Sequence, residues 1–272
     1  EEPGNALTAQ FTQAEWAALK QFRTHLPDIL AAAYPDKADA KTSSVTLWNV
    51  SLDPANPASS AKASVVLMKF LRARNLNVAE ARTMLTNTLK WRQDFGIEAA
   101  LKEEYPDDVF GKLGYISGKD KQGRPVIYNV YGGNKDVNAV FGDVQRFLRW
   151  RVAFMEKSID HLDFENVDQA VQVHDYAGVS MSSRTPQSKQ AASEASKIFG
   201  DHYPELLYKK YFINVPLFMS FIFWTFKAIL PAKTFAKMSV VGTSTNSIRD
   251  TLGEVVDVKE IPKRYGGQAE GF

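Results

Sequence analysis

The chain has 272 residues, 44% of them hydrophobic and 12% aromatic, which is enough to build one large core or two smaller ones. A formal net charge of +2 supplies no strong field for nucleic acid. The absence of cysteine excludes disulfides, thiolate metal sites and a cysteine nucleophile, and it fits a reducing cytoplasm.

In chain order, Phe11, Trp16, Leu19, Phe22, Leu26, Ile29 and Leu30 recur at helical spacing and predict a helix over 11–35. Residues 36–62 are rich in Ala, Ser, Pro, Asp and Asn. They read as a long loop with one ordered patch at 45–50. A helix is predicted over 64–74, with Lys69, Arg72 and Arg74 taken as its solvated face. A further helix is predicted over 78–95, capped by Asn77. Together these form an all-helical N-terminal unit, 1–104.

After residue 105 the pattern changes. Strands are predicted at 114–116 and 125–131 around a turn at 119–123, followed by a helix over 143–161 and a strand over 169–176. A Ser-rich loop leads to a helix near 188–199, a short helix at 204–207, a strand at 211–215 and a last strand at 237–241. Short apolar strands alternating with helices predict an α/β unit, 105–272, with a mostly parallel sheet.

Between the last two strands lies an apolar run, 216–230, ending at Pro231. Phe218, Phe221, Phe223, Trp224 and Phe226 point to all sides of a helix drawn through it. A surface helix keeps a polar stripe, and a bilayer span needs about 20 apolar residues. This run is therefore a buried core helix or a helix facing something apolar that is not protein.

On the strand at 169–176, Val171, Val173 and Asp175 share one face, and Ala170, Gln172, His174 and Tyr176 share the other. A central parallel strand is normally apolar on both faces. The His–Tyr face is therefore either a hydrogen-bonded pair inside the core or the lining of a cavity that offers polar ligands. Phenol oxygen and imidazole nitrogen both serve as haem-iron ligands. His25, His161 and His202 are isolated and read as surface or capping residues. With no nucleophile elbow, glycine-rich phosphate loop or paired metal motif, the chain is not expected to be an enzyme.

The segments Met68-Lys-Phe-Leu-Arg-Ala-Arg-Asn75, Asp120-Lys-Gln-Gly-Arg-Pro-Val126, Tyr203-Pro-Glu-Leu-Leu207, Phe212-Ile-Asn-Val-Pro216 and Ile261-Pro-Lys-Arg-Tyr-Gly-Gly267 resemble, in order, the motifs of CRAL-TRIO lipid-binding proteins. Within that family the chain looks most like fungal phosphatidylinositol-transfer proteins. Trp150–Lys157, Leu162–Phe164, Val173–Tyr176 and Tyr203–Tyr208 are similar to a non-classical branch that binds haem. The resemblance implies a helical N-terminal lobe and a sheet-floored hydrophobic pocket, closed by a gate helix at 216–230 carrying Phe218, Phe221, Phe223 and Trp224. It implies Arg74, Glu205, Thr234 and Lys237 as the phosphatidylinositol headgroup set, with Asn75 in place of the usual lysine. For the haem branch it implies haem b held through Tyr176 as iron ligand, with His174 beside it and Arg74 near the cofactor, and a sensing, storage or oxidative-stress role. Arg74 stands where a haem-binding relative carries tyrosine. Haem and phosphatidylinositol stay as competing expectations. The implied partners are phosphatidylinositol and a membrane surface. The implied setting is the cytoplasm with peripheral association to endoplasmic reticulum membranes.

Overall fold

A computed structural model describes residues 2–220 and 232–272. It divides into two compact units. The first comprises Glu1–Lys102, Met155–Asp168 and Ala195–Leu206; the second comprises Glu103–Phe154, Gln169–Glu194 and Leu207–Phe272.

The first unit is built on helices. Helix α1 (Gln13–Thr24) starts at a capping box, in which Thr12 accepts from Glu15 N–H and Glu15 accepts from Thr12 N–H. The single helix expected over 11–35 is divided: α1 ends at His25 and α2 (Leu26–Ala33) begins there. Pro27 sits in the first turn of α2, the position that tolerates its missing N–H. One residue string cannot run straight through it.

The ordered patch at 45–50 is a hairpin of β1 (Val45–Leu47) and β2 (Val50–Leu52). Its two turn residues, Trp48 and Asn49, have φ of 52° and 61°, as a tight hairpin turn requires. Asparagine accepts this conformation readily; tryptophan rarely does. Trp48 is held by packing, with its ring stacked on Phe70 at 5.9 Å, Tyr203 at 6.2 Å and Phe164 at 6.3 Å.

Helix α3 (Ala61–Arg72), capped by Ser60, starts earlier than expected and is buried from Ala63 through Leu71. That overturns the reading of Lys69 as part of a solvated face. Lys69 is 2% exposed; its Nζ donates to Asp168 Oδ2 at 2.7 Å and to the Glu205 carbonyl at 3.0 Å. Helix α4 (Val78–Phe95) has the expected limits and the expected Asn77 cap, and it ends at Gly96 with φ 72°. Arg92 forms two hydrogen bonds to Glu156, at 2.6 and 3.0 Å, and Tyr203 hydroxyl donates to the same carboxylate at 2.5 Å. His202 is half-buried rather than a plain surface residue: it stacks on Trp91 at 4.4 Å and meets Thr88 Oγ1 at 3.2 Å.

The second unit is built on a 5-stranded sheet: β3 (Gly114–Lys119), β4 (Pro125–Val130), β5 (Ala170–Asp175), β6 (Leu207–Ile213) and β7 (Met238–Val240), adjacent in that order. Only β3 runs antiparallel; β4 through β7 are parallel, as the alternation of strands and helices predicts. The helix expected at 204–207 is absent. Pro204 opens a turn, Glu205 takes φ 56°, and β6 starts at Leu207, pairing with the whole of β5 from Ala170 to Asp175. Helices α5 (Val144–Ile159) and α6 (Pro186–His202) lie within a few residues of their expected ends.

One face of the sheet is sealed. Val126, Tyr128, Val130, Val171, Val173, Tyr211 and Ile213 pack against Ile248 and Leu252 of the helix Thr245–Gly253, and against Ile261 and Tyr265.

Candidate functional site

The opposite face of the sheet carries the polar residues. Strand alternation puts Asn129 of β4, Gln172 and His174 of β5, and Lys210 and Phe212 of β6 on this side. Tyr131 and Tyr176 extend the same rows. Across the strands Asn129 is opposite His174, His174 is opposite Phe212, and Gln172 is opposite Lys210.

His174 is buried and both ring nitrogens are engaged: Nδ1 with Tyr131 hydroxyl at 2.5 Å and Nε2 with Gln172 Oε1 at 3.2 Å. Burial holds its pKa well below the ordinary histidine value, and the charges of Lys210 and Arg151 push the same way. The imidazole is therefore neutral. Tyr176 lies beside it, with ring centroids 5.0 Å from Tyr131 and 6.3 Å from Phe212. Burial, then Tyr131, raises its pKa well above that of a free phenol. Sequence alternation placed His174 and Tyr176 together, and they are together. Their donor types suit a haem iron, although Tyr176 must lose a strongly held proton to ligate one. Among the described residues no group of three or more His, Asp or Glu side chains gathers around a common point.

Three residues of this face gave no earlier signal. Asn129 is 2% exposed, and among the described residues neither atom of its side-chain amide has a hydrogen-bond partner. Lys210 is half-buried, and its pKa is drawn down to about 8 by burial and by Arg151. Arg151, from α5, is buried with its guanidinium 5.8 Å from the Phe154 ring centroid. Asn129, Tyr131 and Arg151 line a small recess whose other walls include Leu113, Phe147 and Trp150.

The residues implied for a lipid headgroup fall in both units. Arg74 and Glu205 belong to the first. Arg74 is half-buried, and its Nη1 donates to the Ala73 carbonyl at 2.9 Å. Glu205 is half-buried in its left-handed turn, with its carbonyl on Lys69. Thr234 and Lys237 belong to the second. Thr234 lies in the short helix Ala232–Phe235, and Lys237 Nζ donates to the Leu207 carbonyl at 2.8 Å. Of the gate residues, Phe218 is half-buried in the described start of a helix at 217–220, next to Leu217, which is 92% exposed. Phe221, Phe223 and Trp224 lie outside the described residues.

Comparison with known proteins agrees with this fold. The pattern of the CRAL/TRIO domain matches residues 110–267, and that of the CRAL/TRIO N-terminal domain matches residues 18–87. The chain is 36% identical over 268 residues to "Phosphatidylinositol transfer protein sfh5" of Sclerotinia sclerotiorum, covering 93% of this chain and 61% of that protein. It is also 36% identical over 270 residues to "Phosphatidylinositol transfer protein SFH5" of Cryptococcus neoformans, covering 92% and 86%. The solved structure described as "Crystal structure of Sfh5" superposes with a TM-score of 0.75 at 25% identity, covering 94% of this chain and 88% of that one. The chain thus spans about three fifths of the first relative's length and most of the second's. With both patterns matched in order and these relatives covered over most of its own length, the chain belongs to the CRAL/TRIO domain family.

Proposed function

We propose that this protein is a lipid carrier, not an enzyme, which takes up phosphatidylinositol over the polar face of its sheet and exchanges it at membrane surfaces. The observation that carries the reading is the asymmetry of the sheet. One face is closed by an apolar core, while the other carries the hydrogen-bonded chain Tyr131–His174–Gln172 and Asn129, whose side-chain amide has no partner among the described residues. A buried polar group without a partner costs about 1–3 kcal/mol, a cost that a ligand meeting the Asn129 amide would offset. The two relatives carry phosphatidylinositol transfer in their names, which supports the choice of lipid. The family resemblance assigns the headgroup to Arg74, Glu205, Thr234 and Lys237. Burial of each acyl methylene contributes about 0.8 kcal/mol. Two chains then bind too tightly for release into water, and exchange occurs at a bilayer, with the protein a peripheral visitor from the cytoplasm. Transfer of labelled phosphatidylinositol between vesicles tests this. Glu205→Ala and Lys237→Ala should each slow transfer severalfold, and a wild-type protein that moves no lipid refutes it.

A second reading rests on the Tyr176–His174 pair. Haem would be held through the Tyr176 oxygen, with His174 and Tyr131 fixing its surroundings. When bound it would supply iron redox chemistry, including peroxidase-like reactivity. Neutral His174 carries its proton at Nε2, facing Gln172 Oε1, and accepts at Nδ1 from Tyr131 hydroxyl, while the Tyr131 and Phe212 rings are each tilted against Tyr176. An absorption titration with hemin tests this; a spectrum unchanged by Tyr176→Phe argues against it.

A further inference from the structure

Two residues of the headgroup set, Arg74 and Glu205, are carried by left-handed backbone turns of the first unit. Arg74 stands just past the end of α3. The chain then turns back through Asn75 (φ 50°) and Leu76 (φ 64°), with Leu76 N–H on the Leu71 carbonyl at 2.8 Å and Asn77 N–H on the Arg74 carbonyl at 2.9 Å. Glu205 takes φ 56°. Asparagine accepts such angles readily, whereas glutamate does so where its surroundings impose them.

At Glu205 the imposing group is Lys69. From its buried place in α3, its Nζ donates to the Glu205 carbonyl at 3.0 Å. The ammonium is not free to swing away, because Asp168 Oδ2 accepts from it at 2.7 Å. Asp168 is anchored in turn. It follows a tight turn in which Asp163 Oδ1 accepts from the N–H groups of Glu165, Asn166 and Val167, each at 2.8 Å. Phe164 of that turn, with φ 54°, stacks on Trp48 at 6.3 Å. Burial lowers the Lys69 pKa most, and Asp168, then Glu205, raises it, so the Glu205 carboxylate also lies within reach of the ammonium's charge. The series Asp163 turn, Asp168, Lys69, Glu205 therefore ends on the same helix that carries Arg74.

We infer that Lys69 and Asp168 are positioning residues for lipid uptake: they tie the Glu205 turn to α3 and so fix the Glu205 carboxylate relative to the Arg74 guanidinium. The inference rests on the reading of the protein as a phosphatidylinositol carrier, and it names residues of that function which do not themselves touch the lipid. A cation and an anion mounted on one helix suit a headgroup that offers a phosphate to the first and hydroxyl donors to the second. Such two-point recognition depends on the spacing of its two ends, and a Glu205 turn released from Lys69 loses that spacing without losing either side chain.

A double-mutant cycle on the full chain tests this, read as transfer of labelled phosphatidylinositol between phosphatidylcholine vesicles by wild type, Lys69→Met, Glu205→Ala and the double variant. Circular dichroism melts set an assay temperature at which all four are folded. Lys69→Met should slow transfer about fivefold in the wild-type background and less than about twofold in the Glu205→Ala background, because the two residues act as one unit. A loss of stability alone would slow both backgrounds by the same factor. Where Lys69→Met does not fold, Lys69→Gln, too short to reach both partners, replaces it in the cycle. Transfer by Lys69→Met at the wild-type rate, equal slowing in both backgrounds, or normal transfer by Glu205→Ala overturns the positioning role and leaves the carrier reading standing. A wild-type protein that moves no phosphatidylinositol sinks the carrier reading and this role with it.

Discussion

Asp168→Asn should destabilise the first unit far more than the polarity of the change suggests. Lys69 is 2% exposed, and among the described residues Asp168 carries the one counter-charge within hydrogen-bonding distance, 2.7 Å from Nζ. Burial lowers the lysine pKa, and Asp168 foremost, then Glu205, opposes that shift. Breaking a buried pair from one side costs about 3–5 kcal/mol, because the remaining charge is stranded. Two features reduce the figure here. The Asp168 side chain is 16% exposed, so part of its attraction is screened, and Lys69 keeps its bond to the Glu205 carbonyl at 3.0 Å. A loss of about 2–3 kcal/mol remains, which for a protein of this size corresponds to a melting temperature lower by roughly 4–12 °C. Lys69→Met removes the charge instead of stranding it and should cost less. Thermal and urea unfolding followed by circular dichroism measure both. Asp168→Asn within about 0.5 kcal/mol of wild type, or Lys69→Met costing more than Asp168→Asn, would refute the reasoning.

Trp48→Ala should cost about 3–5 kcal/mol in the same unfolding assay, since it empties a site walled by Phe70, Phe164 and Tyr203. Asn49→Gly at the neighbouring turn position should change stability little, because glycine also accepts φ 61°. Acidification should destabilise the protein from about pH 6.5 downward, because burial lowers the pKa of His174 and His202 from the model-compound value of 6.5. The unfolded chain then takes up protons first, and stability that is complete above 6.5 declines as the pH falls. His202→Gln should flatten that decline in urea titrations run at several pH values.

Much of the fold was legible because its signals are local. Asn77 and the apolar spacing after it define α4 within one stretch of chain. The two-residue period of Val171, Val173 and Asp175 against Gln172, His174 and Tyr176 sorted β5 into its sealed and open faces. What escaped was set by partners far along the chain. Lys69 looked solvated because its counter-charge stands 99 residues away. The turn at Pro204 and Glu205 resembled a helix start because Leu206 and Leu207 suit one; pairing of β6 with β5 decided otherwise. Lys209 and Lys210 read alike as charges, and only the two-residue step to Phe212 could have assigned Lys210 to the open face. Asn129 and Arg151 left no such trace, because nothing nearby in sequence shows that a strand asparagine goes unpaired.

The first unit gathers three separate stretches of chain, the last ending at Leu206. Trp48 waits for Phe164 and Tyr203, Lys69 for Asp168, and Arg92 for Glu156. During synthesis the amino-terminal helices therefore leave the ribosome with their central contacts still unmade, and closure over such long separations is slow. A truncation ending near residue 102 would expose the same greasy surfaces permanently, which makes it a substrate for chaperones rather than a free-standing module.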